Sequence, residues 1–232
     1  MNIYVGTSGF SYSEWKGSFY PKDLPDRQKL RYYGEHFGTV EINATFKRMP
    51  TAAGLNAWAK EVSTEFLFAI KAPERITHRQ KLLDVDDLVS QLLEVTAVLK
   101  ERQGPLLFQL PPTLKKDVAR LRTFLELLPS QSRVTLEFRH PSWFEDEIFG
   151  LLRDHRVALC IADAENELQI PFMATTDWGY LRLRQPSYSD KELKVWIKRI
   201  QEQDWRDVFV FFKHDDKGNG PILAKRFMEL VS

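Results

Sequence analysis

The sequence holds a single cysteine, Cys160. One thiol excludes an internal disulfide and any all-cysteine zinc or iron–sulfur centre, and it fits a reducing compartment. No His-Glu-x-x-His run and no other ligand pair stands at metal-binding spacing, so neither a metal nor a cofactor is expected. No sign of charge dominates. The 33 Lys and Arg against 32 Asp and Glu leave a formal net charge of +1, without the global basic field of a general nucleic-acid binder. Any preference for anions must be local. Long apolar runs are also missing, so no segment is expected to cross a bilayer. The first residues lack the basic-then-apolar pattern of a secretory signal. The expectation is a soluble, cytoplasmic protein with no membrane partner.

What is present is a regular alternation of strand and helix signals. Hydrophobic residues make up 43% of the chain, ample for a core. Period-two patterning predicts eight strands, at 3–7, 39–43, 66–71, 106–110, 134–139, 157–163, 179–184 and 208–213. Helical periodicity falls between most of them. A broken signal runs over 22–36, and further helices are predicted at 51–62, 85–102, 117–128, 142–155, 190–203 and 221–231. Gly104 reads as the stop of the third of these helices and Ser142 as the N-cap of the fifth. Residues 165–176, after strand six, show no clear helix. Trp15, Phe19 and Tyr20 lie in an aromatic loop that either walls a pocket or covers the rim.

Eight strands separated by helices predict a parallel α/β protein. Eight is also the number that closes a (β/α)8 TIM-type barrel, here a short one of a single domain over residues 1–232. A doubly wound open sheet is the alternative, but Gly6 and Gly9 after strand one form neither a dinucleotide fingerprint nor a P-loop.

In such a barrel, sites form at the C-terminal strand ends. Those ends carry Asn43, Lys71, Gln109, Arg139, Asp163, Arg182 and Lys213, with Glu41 and Glu137 one step deeper. Glu137 and Arg139 are two residues apart on one strand, so both point the same way. Buried charges are costly unless paired. The set is therefore either a site or a structural ion-pair network, and the fold rule favours a site. Lysine and arginine converging on one cavity suit a phosphate or carboxylate. Glu137, Arg139, Glu41 and Asp163 are the catalytic candidates, with Glu137 a general acid or base whose pKa direction sequence does not give. Asn43, Lys71, His78, Gln109, His140, Trp143, Arg182 and Lys213 are the substrate-binding candidates, and His214 is a further donor. The mixture of arginines and aromatics over 180–188, with Trp143 and Trp178 placed on the rim, makes nucleic acid a weaker alternative partner. Lys191, Lys194, Lys198 and Arg199 read as the wet face of a helix.

Several blocks in one order give the chain a resemblance to the YecE-like family of uncharacterised proteins. They are Gly6-Thr-Ser-Gly-Phe10 with Tyr12 and Trp15, Phe19-Tyr-Pro21, Val40-Glu-Ile-Asn43 with Thr45-Phe46, Lys71-Ala-Pro73 with Thr77-His78, Phe108-Gln-Leu-Pro111, Glu137-Phe-Arg-His-Pro-Ser-Trp143, and Asp163. The resemblance implies a TIM-type barrel similar to sugar-isomerase and apurinic-endonuclease barrels, and no established activity. The sequence departs from the family pattern at Lys47, at Arg184-Gln185 and at Lys213-His214-Asp215, where tyrosine, His-Gly and Asn-Asn-Asp are usual. The functional expectation is an enzyme of hydrolase or lyase type acting on a small anionic substrate. A nucleic-acid processing protein and a non-catalytic anion-binding module are the alternatives.

Overall fold

Alternation carries through to eight parallel strands: β1 (Asn2–Thr7), β2 (Thr39–Ile42), β3 (Leu67–Lys71), β4 (Gln103–Gln109), β5 (Val134–Glu137), β6 (Ala158–Ala162), β7 (Trp178–Leu183) and β8 (Asp207–Phe212). The computed structural model describes residues 1–163, 168–213 and 218–231. The strands pair in the order β1-β8-β7-β6-β5-β4-β3-β2, which is the sequence of a TIM-type barrel.

The β1/β2 seam closes differently from the rest. A single bridge between Ser8 and Glu41 and the bond from Gly9 N to Glu41 O (2.7 Å) join the two strands at the top. Lower down, the Tyr33 hydroxyl stands in for the ladder. It accepts from Thr7 N at 2.8 Å and donates to Thr39 O at 3.0 Å. A Cβ on Gly6 would lie 2.2 Å from Thr39 O, so only glycine lets the strands approach this closely.

Helices follow most strands: α1 (Lys29–Gly34), α2 (Ala52–Glu61), α3 (Asp86–Thr96), α4 (Val118–Glu126), α5 (Asp146–Asp154), α6 (Asp190–Gln201) and α7 (Asn219–Val231). Asp117 caps α4 through Arg120 N, and Ser189 with Glu192 forms a capping box on α6. Residues 168–177, between β6 and β7, contain no helix, as the sequence implied. No helix among the described residues is long and apolar enough to cross a membrane.

Three local expectations are corrected. The helix predicted over 85–102 stops at Thr96, whose hydroxyl bonds back to Leu92 O at 2.8 Å. A 3-10 turn over Ala97–Arg102 follows, with Lys100 at φ 52°. Gly104 does not end that helix. It lies inside β4, where its missing Cβ leaves room for Phe68 O. Ser142 is no N-cap, because α5 begins at Asp146 and Ser142 sits in a 3-10 turn (Pro141–Trp143) whose own cap is His140. The Ser142 hydroxyl instead accepts from Lys116 N at 2.8 Å, tying two mouth loops together.

The core has two shells. Inside the barrel, Ala69, Leu107, Ala158 and Cys160 face the bulky Trp178, Tyr180, Phe209 and Phe211 of β7 and β8. Small residues on one side thus accommodate large ones on the other. The remaining buried residues fill the layer between strands and helices. Trp15, Phe19 and Tyr20 belong to that layer, buried and packed on one another, so they cover the rim.

Candidate functional site

Strand parity puts Glu41, Lys71, Gln109, Glu137 and Arg182 on the inner face at the C-terminal end of the barrel. Arg182 is the hub. Its Nη2 lies 2.9 Å from Glu41 Oε1 and its Nη1 lies 2.6 Å from Glu137 Oε2. Glu41 also accepts from the Tyr180 hydroxyl (2.7 Å) and from Asn43 Nδ2 (3.0 Å). Glu137 accepts from Gln109 Nε2 (2.8 Å) and from Arg139 Nε (2.8 Å), with Arg184 Nη1 at 3.7 Å.

Both carboxylates are sealed from solvent, Glu41 at 0% and Glu137 at 1% exposure. Burial by itself would raise a carboxyl pKa. At Glu137 the charges of Arg182 and Arg139, aided by the Gln109 amide and Arg184, outweigh burial and hold the carboxyl well below its usual range. At Glu41, Arg182, the Tyr180 hydroxyl, Lys71 and Asn43 do the same. The direction of this shift favours the carboxylate form of Glu137, and its oxygens are engaged by three close donors.

Lys71 sits two residues beyond the level of Glu41, at the end of β3 and 8% exposed. Its Nζ lies 4.2 Å from the centre of the Phe46 ring, and the His78 ring meets the same ring edge-on at 4.9 Å. His78 stands in a single π turn (Arg75–Arg79) and contacts the Thr77 hydroxyl through Nδ1 at 2.9 Å. Burial first, and then Lys71 and Arg139, push the His78 pKa down.

Other predicted site residues lie apart. Asp163, just past β6, accepts from the Tyr188 hydroxyl (2.6 Å) and from Gln185 Nε2 (3.1 Å) rather than joining the Arg182 cluster. His140 turns onto Ser142, its Nδ1 2.8 Å from Oγ. Trp143 is a correction. It is 0% exposed, stacked on Phe138 at 4.8 Å, and its indole donates to Leu114 O at 2.7 Å. It packs outside the barrel wall because it lies in the 3-10 turn Pro141–Trp143, where strand parity no longer applies. Trp178 is the first residue of β7, at the end of the barrel opposite the mouth. Lys213 follows β8, with its backbone N bonded to Leu183 O at 2.9 Å. His214 lies outside the described residues.

Two residues of the cluster lie in stretches the sequence singles out but were not among its site candidates. Tyr180 and Arg184 flank Arg182 at two-residue spacing, so period-two alternation could have found both. Of the departures from the family pattern, Arg184 and Gln185 do reach the mouth, whereas Lys47 pairs with Glu74 at 3.0 Å and is largely exposed. Lys191, Lys194 and Lys198 are exposed as expected, but the Arg199 guanidinium lies over the Phe172 ring at 4.3 Å. Beside the mouth, a cleft of about 630 Å³ opens between Phe10, Tyr12, Leu30, Asn43 and Trp58. Among the described residues no three His, Cys, Asp or Glu side chains gather as a metal site.

The family model for proteins of unknown function DUF72 matches residues 4–232. The chain belongs to the DUF72 family. Among its relatives, the UPF0759 protein YunF of Bacillus subtilis is 26% identical over 270 residues, covering 99% of this chain and 94% of YunF. The UPF0759 protein YecE of Escherichia coli K12 is 31% identical over 143 residues, covering 61% of this chain and 50% of YecE. The crystal structure of a DUF72 protein from Thermotoga maritima superposes with a TM-score of 0.86 at 27% identity, covering 100% and 99% of the two chains. A sugar phosphate isomerase/epimerase from Parabacteroides distasonis shares the fold at a TM-score of 0.55 and 12% identity, covering 98% of this chain and 94% of its own. The YecE-like resemblance and the barrel it implied are thus borne out. DUF72 itself carries no assigned reaction.

Proposed function

We propose that this DUF72 chain is an enzyme of hydrolase or lyase type that takes a small phosphorylated or carboxylated substrate at the C-terminal mouth of its barrel. The observation that carries the reading is the charge balance of the cluster. Among the described residues, Lys71, Arg139, Arg182 and Arg184 stand around two carboxylates, Glu41 and Glu137. Arg182 is used up between those two. Arg139 and Arg184 keep 29% and 22% of their side chains exposed, so they are the guanidiniums that meet a ligand. A planar guanidinium pair suits the oxygens of a phosphate or carboxylate. Lys71 at the end of β3 and Lys213 just after β8 would complete the anion site. Glu137 then orients Arg139 and Arg184 instead of moving a proton, and Asp163 and His78 are the groups left for acid–base work.

A second reading, a non-catalytic anion-binding module, is favoured by one observation: neither buried carboxylate has a pKa raised toward neutrality. Nucleic acid draws little support, because Trp143 and Trp178 do not line the mouth as stacking platforms. The test is incubation with a panel of small phosphomonoesters and hydroxy and keto acids, followed by proton and phosphorus NMR. Conversion that disappears in R139M/R184M supports the enzyme. Saturable binding of panel members without conversion favours the module, and neither binding nor conversion overturns both.

A further inference from the structure

Lys71 is a cation of the cluster that no carboxylate among the described residues neutralises directly. Among the described residues it makes no ion pair within 4.0 Å. Glu41 and Glu137 give their oxygens to Arg182, Arg139, Gln109, Asn43 and Tyr180 instead. Its Nζ rests on the Phe46 ring, its carbonyl accepts from the Thr45 hydroxyl at 2.7 Å, and its neighbours across the β4 register are apolar. The backbone is thus fixed by Thr45 and the ammonium rests on an aromatic ring, while the residue stays 8% exposed. A lysine in such a setting is short of the solvation that keeps an ammonium charged.

We propose that Lys71 is a Schiff-base nucleophile, and that the substrate class of the site is a small carbonyl compound bearing a phosphate or carboxylate. This deepens the reading given above and rests on it for the anionic group. Burial, and then the charge of Arg182, bring the Lys71 pKa down to about 8, against the opposing pull of Glu41 and Glu137, with Arg139 adding to the fall. A useful fraction of the amine is therefore neutral near physiological pH. Lysines activated by desolvation or by a neighbouring cation form imines with carbonyl substrates. The neutral Nζ attacks the carbonyl carbon. The C–N bond forms as the carbonyl electron pair moves to oxygen, which takes up a proton while nitrogen loses one. The resulting carbinolamine is protonated at its hydroxyl, the C–O bond breaks, water leaves, and the nitrogen lone pair closes the C=N bond. His78, on the edge of the same Phe46 ring with its pKa lowered, serves as the proton carrier. Arg139 and Arg184 hold the anionic group.

The test uses the full chain with sodium cyanoborohydride and three probes: pyruvate, dihydroxyacetone phosphate, and acetone as the uncharged control. Intact mass and peptide mapping locate the reduced adduct, and calorimetric titration with dihydroxyacetone phosphate runs in parallel. One adduct at Lys71 is expected. It should form at a roughly tenfold lower concentration of the charged probes than of acetone, and K71R, checked for native circular dichroism, should lack it. Mapping the wild-type chain decides the matter even if K71R misfolds. Label spread over exposed lysines such as Lys191 and Lys194, with Lys71 unmodified, overturns the proposal. If dihydroxyacetone phosphate still binds in that case, the anion site stands and only the nucleophile falls. If Lys71 is labelled equally by acetone and no anion binds, the nucleophile stands and the anion reading falls. Neither binding nor a Lys71 adduct overturns both.

Discussion

Glu137 Oε2 accepts from Arg182 Nη1 at 2.6 Å, and the same guanidinium reaches Glu41 on its other side. One arginine on β7 thus ties β2 to β5 across the barrel interior. Such a triad is weak as a source of net stability and severe when broken, because each remaining charge stays buried. Arg182→Met should cost roughly 3–5 kcal/mol in urea unfolding. Replacing all three by R182M/E41Q/E137Q should recover most of that loss. A single R182M variant as stable as the parent would remove the hub role.

The depressed carboxyls set a direction for acid stability. In the unfolded chain a glutamate titrates near about 4.3. Both Glu41 and Glu137 sit lower when folded. Their contribution is therefore complete above that range and is lost as pH falls through it toward the folded values. Unfolding free energy measured from pH 6 down to about 3 should drop, and the E137Q variant should show a shallower slope. Equal slopes for the two proteins would contradict the assignment.

Lys71 gives a slope of the same sign at higher pH, because its lowered pKa is a penalty relieved as the amine loses its proton. Its folded pKa, about 8, lies below the ordinary value of 10.5. Between those values the unfolded state binds the extra proton, so stability rises with pH. The gain should approach about 1.4 kcal/mol per pH unit between roughly pH 8 and 9.5. K71M should flatten this rise in denaturant titrations over that window. An unchanged rise would assign it to another group.

At the β1/β2 seam the Tyr33 hydroxyl serves Thr7 N and Thr39 O together. Tyr33→Phe keeps the ring and strands both backbone groups, which should cost about 1–3 kcal/mol. Amide exchange at Thr7 should accelerate more than exchange at the centre of β8. Uniform acceleration across the barrel would point to a global effect instead.

Much of this architecture was legible because parity needs only sequence. Glu137 and Arg139 were assigned to one face, and the pair is bonded side by side. The irregular stretch before β7 was legible for the same reason, through its lack of period. What failed lay where parity stops. Ser142 and Trp143 both sit in a 3-10 turn, so neither points where strand or helix rules would send it. Gly104 looked like a stop because glycine ends helices, yet here it admits a neighbouring strand. The pKa direction of Glu137 depended on how many donors converge from other strands, and no local pattern counts those.

The claim at the centre of the account is that the positive surplus around Glu137 captures a small anion. Calorimetric titration of the chain with inorganic phosphate, at low and at raised salt, tests it most directly. Saturable one-to-one binding is expected, weakening roughly tenfold or more in R139M/R184M, with both proteins equally folded. No heat of binding in the wild-type chain, or the same affinity in the double variant, would contradict it.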